Sequence, residues 1–275
     1  MMGDLRFGTS SWSERTWEGV FYPPGTPPPH YLTAYATQFS TVEADSTYYR
    51  VPTRRLVAGW AEKTPPGFIL AAKFPRTVVH AGQGEKPDPT RLLVREHVWP
   101  DVERFLEAMA LLGPKCGPLV LQFPYLNRTA FSSVEPFLER LDAFLALLPP
   151  GFRYGVEIRN RTWLAPPLLD VLRRHRVALV LVDLVYMPHP AEVAAHLDVV
   201  TTDFAYARLI GDRRAVEALT DRFDRVVIDQ TARLAQWADL LKVLRERVTR
   251  TLVYCNNHYA GHGPATAREL MQRLA

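Results

Sequence analysis

Residues 156–160, Val-Glu-Ile-Arg-Asn, follow Tyr154 and Gly155 and are the segment from which the fold can be predicted. Its apolar side chains alternate with Glu157 and are followed at once by Arg159, a pattern typical of a buried strand that ends in charge. A carboxylate at the end of a buried strand is costly unless it is paired, hydrogen-bonded or bound to a ligand. The stretch therefore predicts a strand that delivers polar groups to one end.

The same arrangement, an apolar run that ends in polar residues and leads into a helical pattern, recurs along the chain. Strands that alternate with helices form parallel sheets. Eight such units in 275 residues match a single closed (β/α)8 barrel of the TIM type, an α/β fold. The predicted strands lie at residues 5–9, 41–43, 68–72, 119–121, 154–158, 177–182, 206–210 and 251–254.

A doubly wound sheet is the alternative fold. It would need a glycine-rich nucleotide-binding turn after the first strand, and residues 8–11, Gly-Thr-Ser-Ser, do not form one. We expect one domain over residues 1–275, because neither a linker nor an internal repeat interrupts the pattern.

A long loop is predicted after the third strand, from Thr77 to Trp99. Loops of this length are uncommon and often act as lids or binding loops. The segment contains Gly82-Gln83-Gly84, which is too weak a signal for a phosphate-binding loop.

Local signals predict where two of the helices begin. Pro100 fits the first turn of a helix that continues through Val102 and Phe105. Ser132 and Glu135 have the spacing of a capping box, which predicts a helix start at that point.

Composition narrows the class of protein. The chain is 47% hydrophobic, and 33 Lys and Arg against 29 Asp and Glu leave a net charge of +4. The cations are interspersed with acids, which favours a solvated mixed-charge surface over a dedicated nucleic-acid-binding face. Cys116 and Cys255 have no metal or redox spacing, so we expect reduced thiols. The N-terminal residues lack a signal-peptide pattern and no apolar run approaches about 18 residues, which predicts a cytoplasmic protein without a membrane span.

Polar residues that follow the predicted strands are the candidate catalytic groups. In a (β/α)8 barrel the carboxyl ends of all strands meet on one face, where active sites lie. Acids and bases that face one opening shift one another's pKa values, which tunes them for proton transfer. The alternative is a set of structural salt bridges, but a set spread over most strands favours a functional rim. The candidates are Glu43, Lys73, Glu157, Asp183, Arg208 and His258.

A second group of polar and aromatic residues beyond the strand ends is predicted to bind substrate. The aromatic members could stack on a sugar or base, or simply plug the barrel. Residues 256–264 join the last strand to a helix, and their glycines leave backbone N–H groups available, as in the phosphate sites of many barrels. An ordinary turn with capping asparagines is the alternative. The group comprises Trp12, Tyr48, Gln122, Arg159, Asn256, Asn257, Tyr259, Gly261 and Gly263.

A divalent metal is the one cofactor that the side-chain chemistry suggests. Glu43, Glu157, Asp183 and His258 are ligand types for Mg²⁺, Mn²⁺ or Zn²⁺. No local ligand motif indicates a site, so metal and cofactor are left open.

Six segments carry a wider pattern: residues 8–12 (GTSSW), 21–23 (FYP), 42–50 (VEADSTYYR), 73–76 (KFPR) through His80, 156–159 (VEIR) with Trp163, and 256–265 (NNHYAGHGPA). They resemble the YecE-like family of uncharacterised bacterial and archaeal proteins, over essentially the whole chain. The resemblance implies a TIM-type barrel and no particular reaction, because the family is one of unknown function. Its members commonly have Asn where this chain has Asp45, which adds a negative charge beside Glu43.

Three functions are compatible with these features. The first is an enzyme, a hydrolase, isomerase or lyase, that acts on a small anionic substrate such as a sugar phosphate. Glu157 and Glu43 would then be acid and base, and Lys73 and Arg208 would stabilise negative charge. The second is nucleic-acid binding or processing, whose signature is salt-dependent affinity. The third is a non-catalytic ligand-binding barrel with a structural Glu157–Arg208 ion pair. The sequence predicts no oligomeric state.

Overall fold

Eight parallel strands form the centre of the molecule. The computed structural model describes residues 2–81 and 86–275. The strands are β1 (Asp4–Thr9), β2 (Thr41–Ala44), β3 (Ile69–Lys73), β4 (Cys116–Gln122), β5 (Tyr154–Glu157), β6 (Ala178–Leu184), β7 (Phe204–Gly211) and β8 (Arg250–Cys255).

Helices connect these strands and cover the outside of the sheet. They are α1 (Tyr31–Tyr35), α2 (Arg54–Glu62), α3 (Arg76–Val79), α4 (Arg95–Met109), α5 (Glu135–Leu147), α6 (Pro166–Arg174), α7 (Pro190–His196), α8 (Arg213–Glu217), α9 (Thr231–Arg247), α10 (Asn257–Ala260) and α11 (Gly263–Arg273). Within the described residues, no helix combines the length and apolar character that crossing a bilayer requires.

The strand order β1-β8-β7-β6-β5-β4-β3-β2 is that of an almost closed barrel, and every pair in it is parallel. Consecutive strands pair with each other, as they do when each strand leads through a helix to its neighbour. The structure therefore confirms the predicted (β/α)8 barrel of the TIM type.

A tyrosine hydroxyl bridges β1 and β2, the two ends of this order. The backbone N–H of Thr9 donates to the Tyr35 hydroxyl (2.8 Å), which in turn donates to the carbonyl oxygen of Thr41 (3.1 Å). The strands also approach closely at Gly8, where an added Cβ would lie 2.1 Å from the Thr41 carbonyl oxygen. Tyr35 therefore satisfies backbone groups that a direct strand ladder would otherwise pair.

The barrel interior has an apolar lower layer and a charged upper layer. Because side chains alternate along a strand, every second residue points inward. The inward residues near the strand starts are buried and mainly apolar: Ile69, Ala71, Val120, Ala178, Val180, Phe204, Tyr206, Leu252 and Tyr254. The inward residues at the strand ends are polar: Glu43, Lys73, Gln122, Glu157 and Arg208.

The predicted starts of two helices are wrong. α4 begins at Arg95, so Pro100 lies inside it and not in its first turn. The buried Val98, four residues before Val102, extends the apolar face one turn upstream, and this packing compensates for the N–H that proline lacks. α5 begins at Glu135 itself, with Val134 at the N-cap.

The segment predicted as a long loop after β3 is shorter than expected at both ends. α3 occupies residues 76–79 and α4 begins at residue 95, so helices take up both ends of the predicted loop at residues 77–99. Gly82-Gln83-Gly84 lies outside the described residues.

Replacing Tyr35 with Phe should lower the free energy of unfolding by about 2 kcal/mol. The change leaves the Thr9 N–H and the Thr41 carbonyl without their buried partner, and an unsatisfied buried polar group costs roughly 1–3 kcal/mol. Urea denaturation measures the difference. Tyr31→Phe is the matched control, because the buried Tyr31 ring stacks on Tyr22 at 4.5 Å and phenylalanine preserves that contact. Equal effects of the two changes would contradict the bridging role of Tyr35.

Candidate functional site

Arg208 is the centre of the charged layer. It lies on β7, only 2% of it is exposed, and its guanidinium contacts residues from three other strands. Nε donates to Glu43 Oε2 (2.9 Å) and Nη2 donates to Glu43 Oε1 (2.8 Å). Nη1 donates to Glu157 Oε2 and to Gln122 Oε1 (2.9 Å). One planar cation therefore links β2, β4, β5 and β7, using the fork geometry that suits paired carboxylates.

Lys73 is the second buried cation of the layer. Its Nζ lies 3.7 Å from Glu43 Oε1 and 3.4 Å from Gln122 Oε1, and it also donates to Asp45. The ammonium lies 5.7 Å from the centre of the Tyr48 ring. Lys73 is 4% exposed, so its charge is balanced by neighbouring carboxylates and not by bulk water.

Glu157 is completely buried between two guanidinium groups. Arg208 contacts Oε2, and Arg159 Nε donates to Oε1 at 2.9 Å. Burial alone would raise the pKa of Glu157, but Arg208 and Arg159 outweigh it and lower the pKa from 4.5 to about 2. Glu157 is therefore an ionised carboxylate at neutral pH.

Glu43 is held in a similar way, with one hydroxyl in addition. Tyr206 donates its hydroxyl hydrogen to Glu43 Oε2 at 2.6 Å. Burial and the adjacent Glu43 charge raise the pKa of Tyr206 well above its ordinary range, so the phenol stays protonated and continues to donate. Tyr206 was not among the candidates from sequence, although it lies two residues before Arg208 on the same face of β7.

An open cavity of about 720 Å³ lies above this layer. Its cationic lining residues are Lys73, Arg159, Arg208, Arg213 and Arg214, and its acidic ones are Asp45 and Asp212. Gln122, Asn256 and His258 add polar groups, and Tyr48, Tyr49 and Tyr186 add aromatic rings. Arg213, Arg214 and Tyr186 were not singled out from sequence, because nothing in the segments after β6 and β7 shows which way these side chains face.

Most of the predicted site residues converge on this cavity. Arg208 contacts Glu43, Glu157 and Gln122. Lys73 contacts Glu43 and Gln122, and Arg159 contacts Glu157. His258 lies at the rim, where its Nδ1 is 2.9 Å from Asn256 Oδ1 and its Nε2 is 3.3 Å from Glu217. Burial lowers the pKa of His258 more than Glu217 raises it, so the imidazole is neutral at neutral pH.

Asp183 does not face the cavity, and the prediction that it shares this opening is wrong. Its buried carboxylate points outward into the helix layer, where it accepts from Tyr259 Oη (2.9 Å), Trp237 Nε1 (3.0 Å) and Arg233. In the sheet, Val182 pairs with Arg208 and points inward, so the alternation of the strand turns Asp183 outward. Tyr259, predicted to bind substrate, belongs to this outer network.

The two glycine N–H groups of residues 256–264, which the sequence left available for a phosphate, are already used within the loop. Gly261 N donates to the Asn257 carbonyl oxygen (2.7 Å), and Gly263 N donates to Asn257 Oδ1 (2.9 Å). Trp17 Nε1 donates to the same Oδ1 at 3.2 Å. Gly261 has φ +109°, and an added Cβ would lie 2.6 Å from the Arg225 carbonyl oxygen. The loop is therefore a tight turn capped by asparagine, the alternative raised from sequence.

Trp12 lies outside the cavity as well. Its ring packs edge-on against Trp60 at 5.4 Å, in a separate groove that Pro28 and Lys63 also line. The direction of the loop after β1 places it there, and the sequence contains no signal for that direction.

The four candidate metal ligands do not come together. Asp183 faces the helices, His258 lies at the rim, and Glu43 and Glu157 are both bound by Arg208. Across residues 2–81 and 86–275, no group of three or more His, Cys, Asp or Glu side chains is arranged to hold a metal ion.

Curated relatives match part of the chain. It is 34% identical to the UPF0759 protein YecE of Escherichia coli over 134 residues, 49% of this chain and 43% of that protein. It is 24% identical to the UPF0759 protein YunF of Bacillus subtilis over 60% of this chain and 54% of that protein. The matched part thus spans about half the length of these relatives.

Solved structures with the same fold extend over nearly the whole chain. A DUF72 family protein from Thermotoga maritima is 26% identical and superposes with a TM-score of 0.68, covering 98% of this chain and 99% of that one. One from Enterococcus faecalis is 21% identical with a TM-score of 0.70, covering 98% and 95%. The model of the family described as protein of unknown function DUF72 matches residues 6–275. The YecE-like resemblance noted from sequence is thereby confirmed, and the chain belongs to the DUF72 family of proteins of unknown function.

Proposed function

We propose that this protein is an enzyme that binds a small anion, bearing a phosphate or carboxylate group, at the carboxyl end of the barrel. The single observation that carries the proposal is the buried set of Glu43, Lys73, Glu157 and Arg208 beneath an open cavity. Buried ion pairs seldom stabilise a fold more than well-packed apolar residues do. The lower half of the same barrel is filled mainly by apolar side chains, so a charged upper half is best explained by function.

The cationic side chains of the cavity supply the anion site. Arg159 lines the cavity with a side chain that is 23% exposed, while its Nε remains bonded to Glu157. Arg213 and Arg214 are exposed in the first turn of α8, which follows β7, and line the same cavity. Guanidinium groups bind phosphate and carboxylate oxygens in pairs, which orients the ligand as well as holding it.

Glu157 supplies the base. Its carboxylate is ionised at neutral pH, so it can accept a proton but cannot donate one. While Arg208 and Arg159 hold it, its pKa of about 2 makes it a weak base, and it becomes effective when the bound anion takes over the Arg159 guanidinium. The Lys73 ammonium, at the same cavity, stabilises negative charge that develops on the substrate. A carboxylate base beside a fixed cation serves either hydrolysis through an activated water or an isomerase or lyase step that removes a proton next to a carbonyl group.

The dimensions of the cavity favour a small ligand over a nucleic-acid strand. Small-molecule sites commonly enclose roughly 300–1,000 Å³, and this cavity of about 720 Å³ lies within that range. A non-catalytic barrel would keep the same anion site and lack the turnover that Glu157 is proposed to support.

Inorganic phosphate should raise the melting temperature of the protein. At a concentration of 100 times the dissociation constant, we expect a rise of roughly 5–10 °C. Arg159→Gln should abolish most of that rise. Arg161→Gln should leave it unchanged, because Arg161 is an exposed arginine two residues away that is not among the cavity-lining residues.

Differential scanning fluorimetry measures the effect, and a substrate screen separates binding from catalysis. With phosphomonoesters and phosphorylated sugars, Glu157→Gln should retain the phosphate response and lose turnover. If phosphate does not raise the melting temperature of the wild type, the proposed anion site is wrong. If Glu157→Gln turns over substrate as fast as the wild type, Glu157 is not the base.

The Glu157 carboxylate should make stability depend on pH in the acid range. The pKa of Glu157 is about 2 in the folded protein, and we take the ordinary value of 4.5 for the unfolded chain. The ionised carboxylate therefore stabilises the folded protein above about pH 4.5. That contribution, on the order of 3 kcal/mol, is lost as the pH falls from about 4.5 towards 2.

Urea denaturation of the wild type and Glu157→Gln at a series of pH values tests this. The difference in unfolding free energy between them should shrink as the pH falls through that window. The two proteins share all their other carboxyl groups, so these largely cancel in the difference. A difference that stays constant with pH would show that Glu157 is not held ionised by its arginines.

A further inference from the structure

Large apolar side chains are exposed at the mouth of the cavity. Tyr49 is 65% exposed, Val185 62% and Tyr186 53%. They lie on the loops after β2 and β6, and all line the cavity. Exposed apolar groups gathered at one opening commonly mark a ligand site.

The aromatic groups adjoin the cationic ones. Arg159, Tyr48 and Tyr186 line the same cavity. The two tyrosines come from the loops after β2 and β6, so two separate loops add aromatic rings to the cavity that Arg159 lines. An anionic group bound by Arg159 would carry the rest of the ligand into contact with these rings.

Tyr48 is already fixed in position. Its hydroxyl lies 2.6 Å from Nε2 of the buried His80, and its ring meets the Tyr49 ring edge-on at 5.5 Å. Burial raises the pKa of Tyr48 more than Arg159 lowers it, so the phenol is neutral and presents an uncharged ring face. A ring held before binding loses little conformational entropy when a ligand packs on it.

We propose that the ligand is an anion whose charged group is attached to a flat ring. Arg159 binds the charged group, and Tyr48 and Tyr186 contact the faces of the ring. This inference rests on the proposed anion site and adds a substrate class to it. An aromatic ring and the apolar face of a sugar both present a broad flat surface that packs on a tyrosine ring, and either can carry a phosphate group.

Isothermal titration calorimetry with three probes tests the inference: inorganic phosphate, phenyl phosphate and glucose 6-phosphate, at a pH where all are dianionic. Phenyl phosphate or glucose 6-phosphate should bind about ten-fold more tightly than inorganic phosphate. A preference for phenyl phosphate identifies an aromatic ring, and a preference for glucose 6-phosphate identifies a sugar.

Tyr186→Ala should remove most of that advantage and change the affinity for inorganic phosphate less than two-fold. Tyr125→Ala is the matched control, because Tyr125 is a 62% exposed tyrosine on the loop after β4 that is not among the cavity-lining residues. Both substitutions are at exposed positions, so the fold should be preserved.

Two failures are distinguishable. If inorganic phosphate binds but neither ring-bearing probe binds more tightly, or if the two alanine variants behave alike, the ring requirement is overturned and the anion site stands. If none of the three probes binds the wild type, the proposed function fails and this inference fails with it.

Discussion

The charged layer at the carboxyl ends of the strands depends on one interaction. The Arg208 guanidinium bridges the carboxylates of Glu43 and Glu157 inside the barrel. All three side chains are almost completely buried, so none of their charges can be neutralised by solvent. Removing any one member would leave an uncompensated charge in a low-dielectric interior, a far larger penalty than loss of a surface ion pair. The bridge thus fixes the relative positions of three strand ends.

This constraint also determines which groups remain available for chemistry. Glu157 remains a carboxylate because two arginines contact it. Both oxygens of Glu43 are bonded to Arg208, and Tyr206 donates its hydroxyl hydrogen to the same carboxyl group. Arg159 and Lys73 differ, since each has a face on the cavity while balancing a buried carboxylate. A ligand that accepts hydrogen bonds from Arg159 or Lys73 therefore weakens the bonds that these cations make to Glu157 and Glu43.

The same barrel contains a second buried carboxylate network with a different role. Asp183 binds Trp237, Tyr259 and Arg233, and so ties β6 to α9 and α10 on the outer side of the sheet. It lies one residue beyond Val182, which pairs with Arg208. Val182 points into the barrel and the next residue, Asp183, binds the helices outside it, because successive side chains of a strand point to opposite faces of the sheet.

The amino-acid sequence was sufficient to predict the barrel and much of its charged layer. Apolar runs followed by Glu43, Lys73, Gln122, Glu157 and Arg208 identified the strands and the residues that meet at their carboxyl ends, since parallel strands deliver their ends to one face. The remaining features depend on the folded structure. The apolar run of β6 contains no alternation that would show Asp183 facing outward, and Asn257 uses the amide groups of Gly261 and Gly263 only once the loop has folded. The direction of side chains beyond the strand ends depends on contacts between distant parts of the chain. Trp12 therefore lies outside the cavity, while Tyr186, Arg213 and Arg214 line it.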